Sequence, residues 1–301
     1  MTPSRNQTLS FLMRRFAEAG IRPRTRLGQN FLTDPNLQRL LIESAGLEPS
    51  DVVLEVGTGT GSVTMLVAPR VAAVVTVEID PQLFQLAGEE LHELPNVRML
   101  QLDALKSKSR LNPAMLEAVY QELDAAPGRQ LKLVANLPFV IATPLLANLL
   151  ALDRPPRSMT VTIQKEVADR LVAPPGGKDC GALSIWVQSQ CRVSIVRQMP
   201  PSVFWPRPKV TSAIVQIVLD DALRSRIPDR EFFHAFIRAI FAHRRKFVRS
   251  ELVSAFKDRL TKPDVDRLLA QTGLDGAARA EQLGVDSLVA LSEAVRAEVG
   301  H

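Results

Sequence analysis

The chain has 301 residues, 46% of them hydrophobic, and a formal net charge of +5. That length fits one large domain or two of ordinary size, and no stretch reaches the roughly 18–20 uninterrupted apolar residues of a membrane-spanning helix. The apolar part of RNQTLSFLMRR near the N-terminus is too short for a secretory signal and no small-residue cleavage site follows, so a cytoplasmic protein without a membrane partner is expected.

Leu9, Leu12, Met13 and Phe16 recur at helical spacing between Thr8, a possible N-cap, and Gly20, a stop. The pattern predicts a short amphipathic helix ahead of the basic linker IRPRTRLG. From about residue 36 helices alternate with buried strands. The helix LQRLLIESAGL leads to the strand VVLEV (52–56), which runs into GTGTG. A helix from about 62 precedes the strand VVTVEID (74–80), and the helix PQLFQLAGEELHEL precedes VRMLQLD (97–103). A fourth strand, LKLVAN (131–136), is followed by the helix TPLLANLLAL and a fifth strand, MTVTIQ (159–164). Strands this apolar, alternating with helices, predict an α/β fold with a mostly parallel sheet covered on both faces. Past residue 180, IWVQSQCRVSIVRQM and TSAIVQIVLD predict further strands, antiparallel at one sheet edge and joined by a Pro-rich connection at 200–208. From about Pro228 the pattern is helical only, which predicts a small all-α domain. The expected organisation is a basic extension over 1–25, an α/β domain over 26–222 and a helical domain over 223–301.

Cys180 and Cys191 have neither metal-knuckle nor redox spacing and read as reduced core thiols. His92, His234, His243 and His301 show no ligand spacing, so no metal is expected. Residues 1–28 carry Arg5, Arg14, Arg15, Arg22, Arg24 and Arg26 against the single acid Glu18. A second cluster, AHRRKFVRS, gathers Arg244, Arg245, Lys246 and Arg249 with Phe241 and Phe247 between them. Cations interleaved with aromatics in this way read as a surface for a polyanion.

Gly57, Gly59 and Gly61 stand directly after a strand and before a helix, where backbone must pass tightly under a ligand or take positive φ. Ser62 stands where a dinucleotide fingerprint would place its third glycine. Glu78 ends the second strand about 20 residues beyond the loop, where a carboxylate accepts from both ribose hydroxyls. Asp103 ends the third strand and is placed to accept from an adenine amino group. The three together predict a crevice for a nucleoside cofactor, a geometry that serves NAD and S-adenosylmethionine alike.

The fourth strand stops at Asn136, followed by Leu137, Pro138 and Phe139. An aromatic exocyclic amine is a poor nucleophile because its lone pair is delocalised into the ring. To methylate it, a site needs acceptors that favour a pyramidal nitrogen and aim it at the methyl donor. An asparagine oxygen and a nearby backbone carbonyl supply the acceptors, proline fixes φ and removes a donor, and an aromatic stacks on the extracted base. Asn136, Leu137, Pro138 and Phe139 form such a set.

These segments resemble the ribosomal small-subunit RNA adenine N6,N6-dimethyltransferases. The likeness runs from about residue 26 to 290 through RLGQNFLTDPN, LEVGTGTGSVT, VEIDPQL, NLPF, QKEVADRLVAPPG, GALSIWVQ, PPSVFWPRPKVTSAIV, HRRKFVRSEL and ARAEQLGVDSL. It implies a Rossmann-like S-adenosylmethionine-dependent methyltransferase fold. It also implies dimethylation of two adjacent adenosines in the 3′-terminal hairpin loop of 16S RNA, coupled to small-subunit biogenesis. Asn30, Leu32, Gly57, Gly59, Glu78, Asp103 and Asn136 would surround the cofactor. Phe139 would stack on the target adenine with Phe204 over its other face, and Arg244, Arg245, Lys246 and Arg249 would grip RNA. The implied partners are small-subunit rRNA or a 30S precursor particle, with the enzyme a monomer. The family more often has Tyr where Phe139 stands, which keeps stacking and loses a phenol hydrogen bond. His243 and Val140 also replace more usual residues, and nothing carries over to residues 1–25.

Three rivals follow from the same residues. A macrolide-resistance methyltransferase would do the same chemistry on a 23S adenine, but PPSVFWPRPKV and ARAEQLGV favour the small-subunit enzyme. A non-catalytic RNA-binding assembly or transcription factor on this fold is opposed by the intact NLPF and cofactor set. A nicotinamide dehydrogenase is opposed by Ser62 and by the lack of a hydride-site histidine or Tyr-Lys pair.

Overall fold

The computed structural model describes residues 8–243 and 246–300, so Arg244 and Arg245 of the expected RNA-gripping cluster lie outside the described residues. A seven-stranded sheet is built from β1 (Val52–Val56), β2 (Ala73–Glu78), β3 (Val97–Gln101), β4 (Leu131–Asn136), β5 (Ser158–Gln164), β6 (Cys191–Met199) and β7 (Ser212–Leu219). Their order is β3-β2-β1-β4-β5-β7-β6. The first five run parallel, with β1 between β2 and β4, and β7 pairs antiparallel with β5. Order reverses at β1 and β4, so their carboxyl ends open the crevice where ligands of such sheets bind. Every residue of β1 and β2 is buried, which fits strands covered on both faces. Leu41, Val53, Val74, Val134 and Ile214 belong to one core on a single side of the sheet.

The chain forms two compact units. One runs up to Ala168 and includes Ser194–Val218; the other joins Asp169–Val193 to the chain from Leu219 onward. The second contains the helices Arg230–Ile240, Val248–Ala255, Lys262–Gln271 and Val285–Val299.

Two readings from the sequence need correction. IWVQSQ is not strand: Ala182–Gln188 is a helix, and β6 starts only at Cys191. A short buried apolar run does not distinguish strand from helix by periodicity. Here the Gly181 N–H donates to Ser184 Oγ at 3.0 Å and opens a helical turn, and Trp186 lies 4.4 Å from the His234 ring. The third strand also ends sooner than expected, at Gln101, leaving Asp103 two residues past it. Cys180 and Cys191 are both buried and neither is joined in a disulfide.

The N-terminal helix spans Leu9–Glu18, with Thr8 Oγ1 accepting the Phe11 N–H. Only half of its apolar stripe is covered: Leu12 and Phe16 are buried, while Leu9 and Met13 are 43% and 51% exposed. A two-residue antiparallel ribbon pairs Phe31 with Trp205 and Leu32 with Phe204. It brings the QNFL and VFWP segments, distant in sequence, together within the first unit.

Candidate active site

The carboxyl ends of β1, β2 and β4 open into a cleft of about 200 Å³, lined among others by Asn30, Leu32, Gly57, Gly59, Glu78, Asp103, Asn136 and Pro138. The seven residues expected around a cofactor are therefore brought together. Gly57 adopts φ +88° and a Cβ there would meet the Pro138 ring at 3.0 Å; Gly59 adopts φ +58° and a Cβ would meet Phe31 at 3.1 Å. A side chain at either position would be strained in the backbone and crowded by the cleft wall. The ring of Pro138 is thus seated on the glycine loop, tying the end of β4 to the end of β1.

Glu78 is buried at the end of β2. Its Oε2 accepts the Gly59 N–H and its Oε1 accepts the Asp80 N–H, both at 2.9 Å. Burial raises its pKa and those two backbone donors pull it back. A carboxylate has about four acceptor positions, so each oxygen keeps capacity for a hydroxyl. Asp103 is exposed and one of its oxygens accepts the Leu105 N–H at 2.9 Å.

The end of β4 is built differently. Asn136 Nδ2 donates to the Asn30 carbonyl at 2.7 Å. That bond fixes the amide, because the amide nitrogen must face a carbonyl. Its Oδ1 is buried and has no hydrogen-bond partner in the structure. An unpaired buried acceptor costs about 1–3 kcal/mol, so it needs a donor that a ligand would bring. The next residues are held rigidly: Leu137 is buried with its N–H on the Thr162 carbonyl at 3.2 Å, and the Pro138 carbonyl accepts the Ile141 N–H at 3.1 Å. Phe139 is half-buried. Its ring centroid lies 6.5 Å from that of Phe204, with the planes at 71°. Phe204 is only 4% exposed. The two aromatics are brought together, but edge to face and with no slot for a base between them.

The segment that supplies Asn30 is itself anchored. The Arg24 N–H donates to Gln29 Oε1 at 2.6 Å, Gln29 Nε2 donates to Asp80 Oδ2 at 3.0 Å, and Arg24 Nε lies 3.4 Å from the same Asp80 oxygen. Four contributors are not evident from the sequence. Leu12 of the N-terminal helix lines the cleft. Phe16, one turn on, packs edge-to-face on Phe31 and Trp205 at 5.2 and 5.0 Å, and Arg15 bridges Glu89 and Glu90 at 3.2 and 3.1 Å. The fourth is Glu55, which stands inside β1 below the glycine loop, accepting the hydroxyls of Thr64 and Thr76. Burial pushes its pKa up to about 8, assisted by the charge of Glu78. Its only signal in the sequence is one glutamate in the otherwise apolar VVLEV.

The basic cluster near 246 is less free than its composition implies. Arg249 Nη2 donates to Asp266 Oδ2 at 2.7 Å, which raises the guanidinium pKa further. Lys246 Nζ lies 3.7 Å and His243 Nδ1 3.2 Å from the Glu251 carboxylate. Among the described residues no group of histidines, cysteines and acids is arranged to hold a metal ion, and no helix is long and apolar enough to cross a membrane.

The positive-φ glycine cradle, the acid at the end of β2 and the unpaired Asn136 oxygen fit a nucleoside-bearing methyl donor and an amine beside it. Comparison with known proteins gives the same direction. The family model described as ribosomal RNA adenine dimethylase matches residues 20–295. A ribosomal RNA small subunit methyltransferase A from Geobacillus thermodenitrificans is 36% identical over 98% of this chain and 96% of its own. The protein of that name from Lactiplantibacillus plantarum is 38% identical over 92% and 91%. The crystal structure of a dimethyladenosine transferase from Plasmodium falciparum has the same fold, with a TM-score of 0.71 and 22% identity over 87% of this chain and 95% of that one. The 23S rRNA methyltransferase ErmE shares it at a TM-score of 0.59 and 21% identity, covering 88% of this chain and 98% of that one. The chain belongs to the ribosomal RNA adenine dimethylase family.

Proposed function

We propose that the protein transfers methyl groups from S-adenosylmethionine to the N6 atoms of two adjacent adenosines in the 3′-terminal hairpin loop of 16S RNA, two to each. The observation that carries this reading is Asn136, whose Nδ2 is committed to the Asn30 carbonyl while its buried Oδ1 lacks a donor. An adenine N6–H supplies the missing donor. The Pro138 carbonyl already accepts the Ile141 N–H, which leaves the Leu137 carbonyl as the second acceptor. Two acceptors on one amine favour the pyramidal nitrogen whose lone pair attacks. No strong base is needed, because the ammonium formed is acidic and sheds its proton readily.

S-adenosylmethionine supplies an electrophilic methyl on a sulfonium. Gly57 and Gly59 let the backbone pass beneath that ligand, Glu78 accepts its ribose hydroxyls and Asp103 its adenine amine. Asn30 and Leu32 close the near side. Phe139 stacks on the target base, which is accessible in a loop and not in a duplex. The helices from Leu219 onward serve the RNA, with Lys246 and Arg249 sharing their charge between phosphate and the acids that hold them. The substrate is small-subunit rRNA or its precursor particle, and the enzyme works in the cytoplasm as a monomer.

The small-subunit name of relatives above 30% identity favours this target over a 23S adenine. Mass spectrometry of both rRNAs from a deletion strain tests the choice. Loss of dimethyladenosine from 16S RNA, restored by the intact gene, is expected. Loss confined to 23S RNA would assign the other target. Failure of the wild type to bind S-adenosylmethionine by calorimetry would leave a non-catalytic factor.

A further inference from the structure

Immediately after Asp103 the chain makes a small antiparallel hairpin, Leu105–Ser107 against Arg110–Leu111, with Leu105 opposite Leu111 and Ser107 opposite Arg110. Its sequence, LKSKSRL, alternates cation and serine, and no acid occurs between Asp103 and Glu117. Lys106, Lys108 and Arg110 are all exposed, as are Ser107 and Ser109. Among the described residues no acid pairs with any of the three cations. That sets them apart from Lys246 and Arg249, whose charges are answered by Glu251 and Asp266.

The hairpin is fixed at both ends to the reaction site. Leu102, Asp103 and Ala104, which lead into it, line the cleft. Asn112 closes its base, with Nδ2 on the Asp103 carbonyl and its N–H on the Ala104 carbonyl, both at 2.9 Å. Its tip is held by Asn148 Nδ2, which donates to the Lys108 carbonyl at 3.2 Å. Asn148 belongs to the helix Ala142–Ala151, the element that leaves the Asn136–Phe139 loop. A set of unpaired cations is thus held on a hydrogen-bonded frame between the cofactor rim and the helix behind the catalytic loop.

We propose that this hairpin grips RNA backbone phosphates inside the catalytic unit, fixing the strand beside the cleft while the target base enters. The role rests on the RNA-directed function above. The hairpin carries no aromatic to stack on a base, so it holds charge and not sequence: its contribution should be uniform across RNAs and sensitive to salt.

The test uses the full chain and a synthetic RNA hairpin with two adjacent adenines in its loop. Lys106→Gln, Lys108→Gln and Arg110→Gln are combined, and a second variant places Glu at all three positions. Melting temperature and calorimetric S-adenosylmethionine affinity verify that fold and cofactor site are intact. RNA affinity of the glutamine variant should fall about tenfold or more near physiological salt. Its log–log salt slope should flatten by about 2, near 0.7 for each phosphate that is no longer neutralised. The glutamate variant should bind more weakly still. Wild-type affinity and slope in both variants would overturn the proposal. So would a wild type whose binding to this RNA shows no salt dependence. A wild type that binds the RNA through the hairpin without methylating it would sink the proposed function and leave the hairpin's role standing.

Discussion

The two ends of the cleft treat their polar groups in opposite ways. Where β1 and β2 finish, the polar groups are answered before any ligand arrives. Glu78 takes one backbone N–H on each oxygen, and Glu55 is held by the Thr64 and Thr76 hydroxyls, with Thr58 behind Thr76 at 2.6 Å. Where β4 finishes, Asn136 is held just as firmly through its nitrogen, yet its oxygen is left without a donor. The end proposed for the cofactor is a cradle held by its own hydrogen bonds. The end proposed for the amine keeps one acceptor unpaired, a local cost that a bound N–H would relieve. Preorganisation has this form when an acceptor must be ready without being occupied.

Removing that acceptor has the largest expected effect. Asn136→Ala should lower kcat by about 10²–10³-fold, the usual scale for one preorganised hydrogen-bonding group at a reacting centre. The fold should lose little: the Asn30 carbonyl forfeits one hydrogen bond, about 0.5–1.5 kcal/mol, and a buried unpaired oxygen disappears with it. Single-turnover methylation and thermal unfolding measure the two sides. A variant that keeps a third of its activity would mean that the open oxygen is not used.

The satisfied end is probed by pH. Glu55 titrates near 4.5 when unfolded and is pushed up to about 8 by burial in the fold. Its contribution to stability is therefore fully present below about 4.5 and lost as pH rises toward 8, because the folded state holds a proton that the unfolded chain has released. Glu55→Gln keeps the shape and cannot ionise. Its stability relative to wild type should rise through that window by at most about 1.4 kcal/mol per pH unit, and then level off. Denaturant unfolding from about pH 4.5 to about pH 8.5 brackets both values and reads the difference. A flat difference would show that the Thr64 and Thr76 hydroxyls hold Glu55 as a carboxylate throughout.

These two residues also show what is legible in the sequence. The strands, the glycine loop and Glu78 depend on local pattern: a short apolar run, a Gly-rich turn, an acid at a strand end. LKLVAN begins and ends where its composition places it. The helix Ala182–Gln188 is mistaken for strand because its apolar run is too short to show a period. The geometry of Asn136 is not legible, since the carbonyl that orients it belongs to a residue 106 positions away. Leu12 is equally hidden. Its helix is plain in the pattern, but which half of the stripe is covered depends on Phe31 and Trp205, joined by a ribbon across most of the chain. The hairpin cations stand out less than the cluster near 246, because they are spaced by serines, and composition does not reveal which charges the fold neutralises.

The smallest expected effect concerns how far the amine end is already shaped for a base. A base held between two aromatic faces needs them nearly parallel, whereas Phe139 and Phe204 stand at 71° and Phe204 is buried. In this arrangement Phe204 packs edge to face with Phe139, and in the proposed function the base stacks on Phe139 alone. Phe204→Leu keeps most of the buried volume and removes the edge-to-face pairing, worth about 0.5–1.5 kcal/mol. Methylation should slow by about two- to tenfold through kcat, because Phe139 is less well aimed, while RNA affinity stays within about twofold. Phe139→Leu should instead weaken RNA binding, since a base stacked on an aromatic is worth about 1–3 kcal/mol. Equal losses of RNA affinity in the two variants would put Phe204 on the base itself. The β4 end would then have to rearrange on binding, and the contrast between a finished cradle and a merely unpaired acceptor would become one between a rigid end and a mobile one.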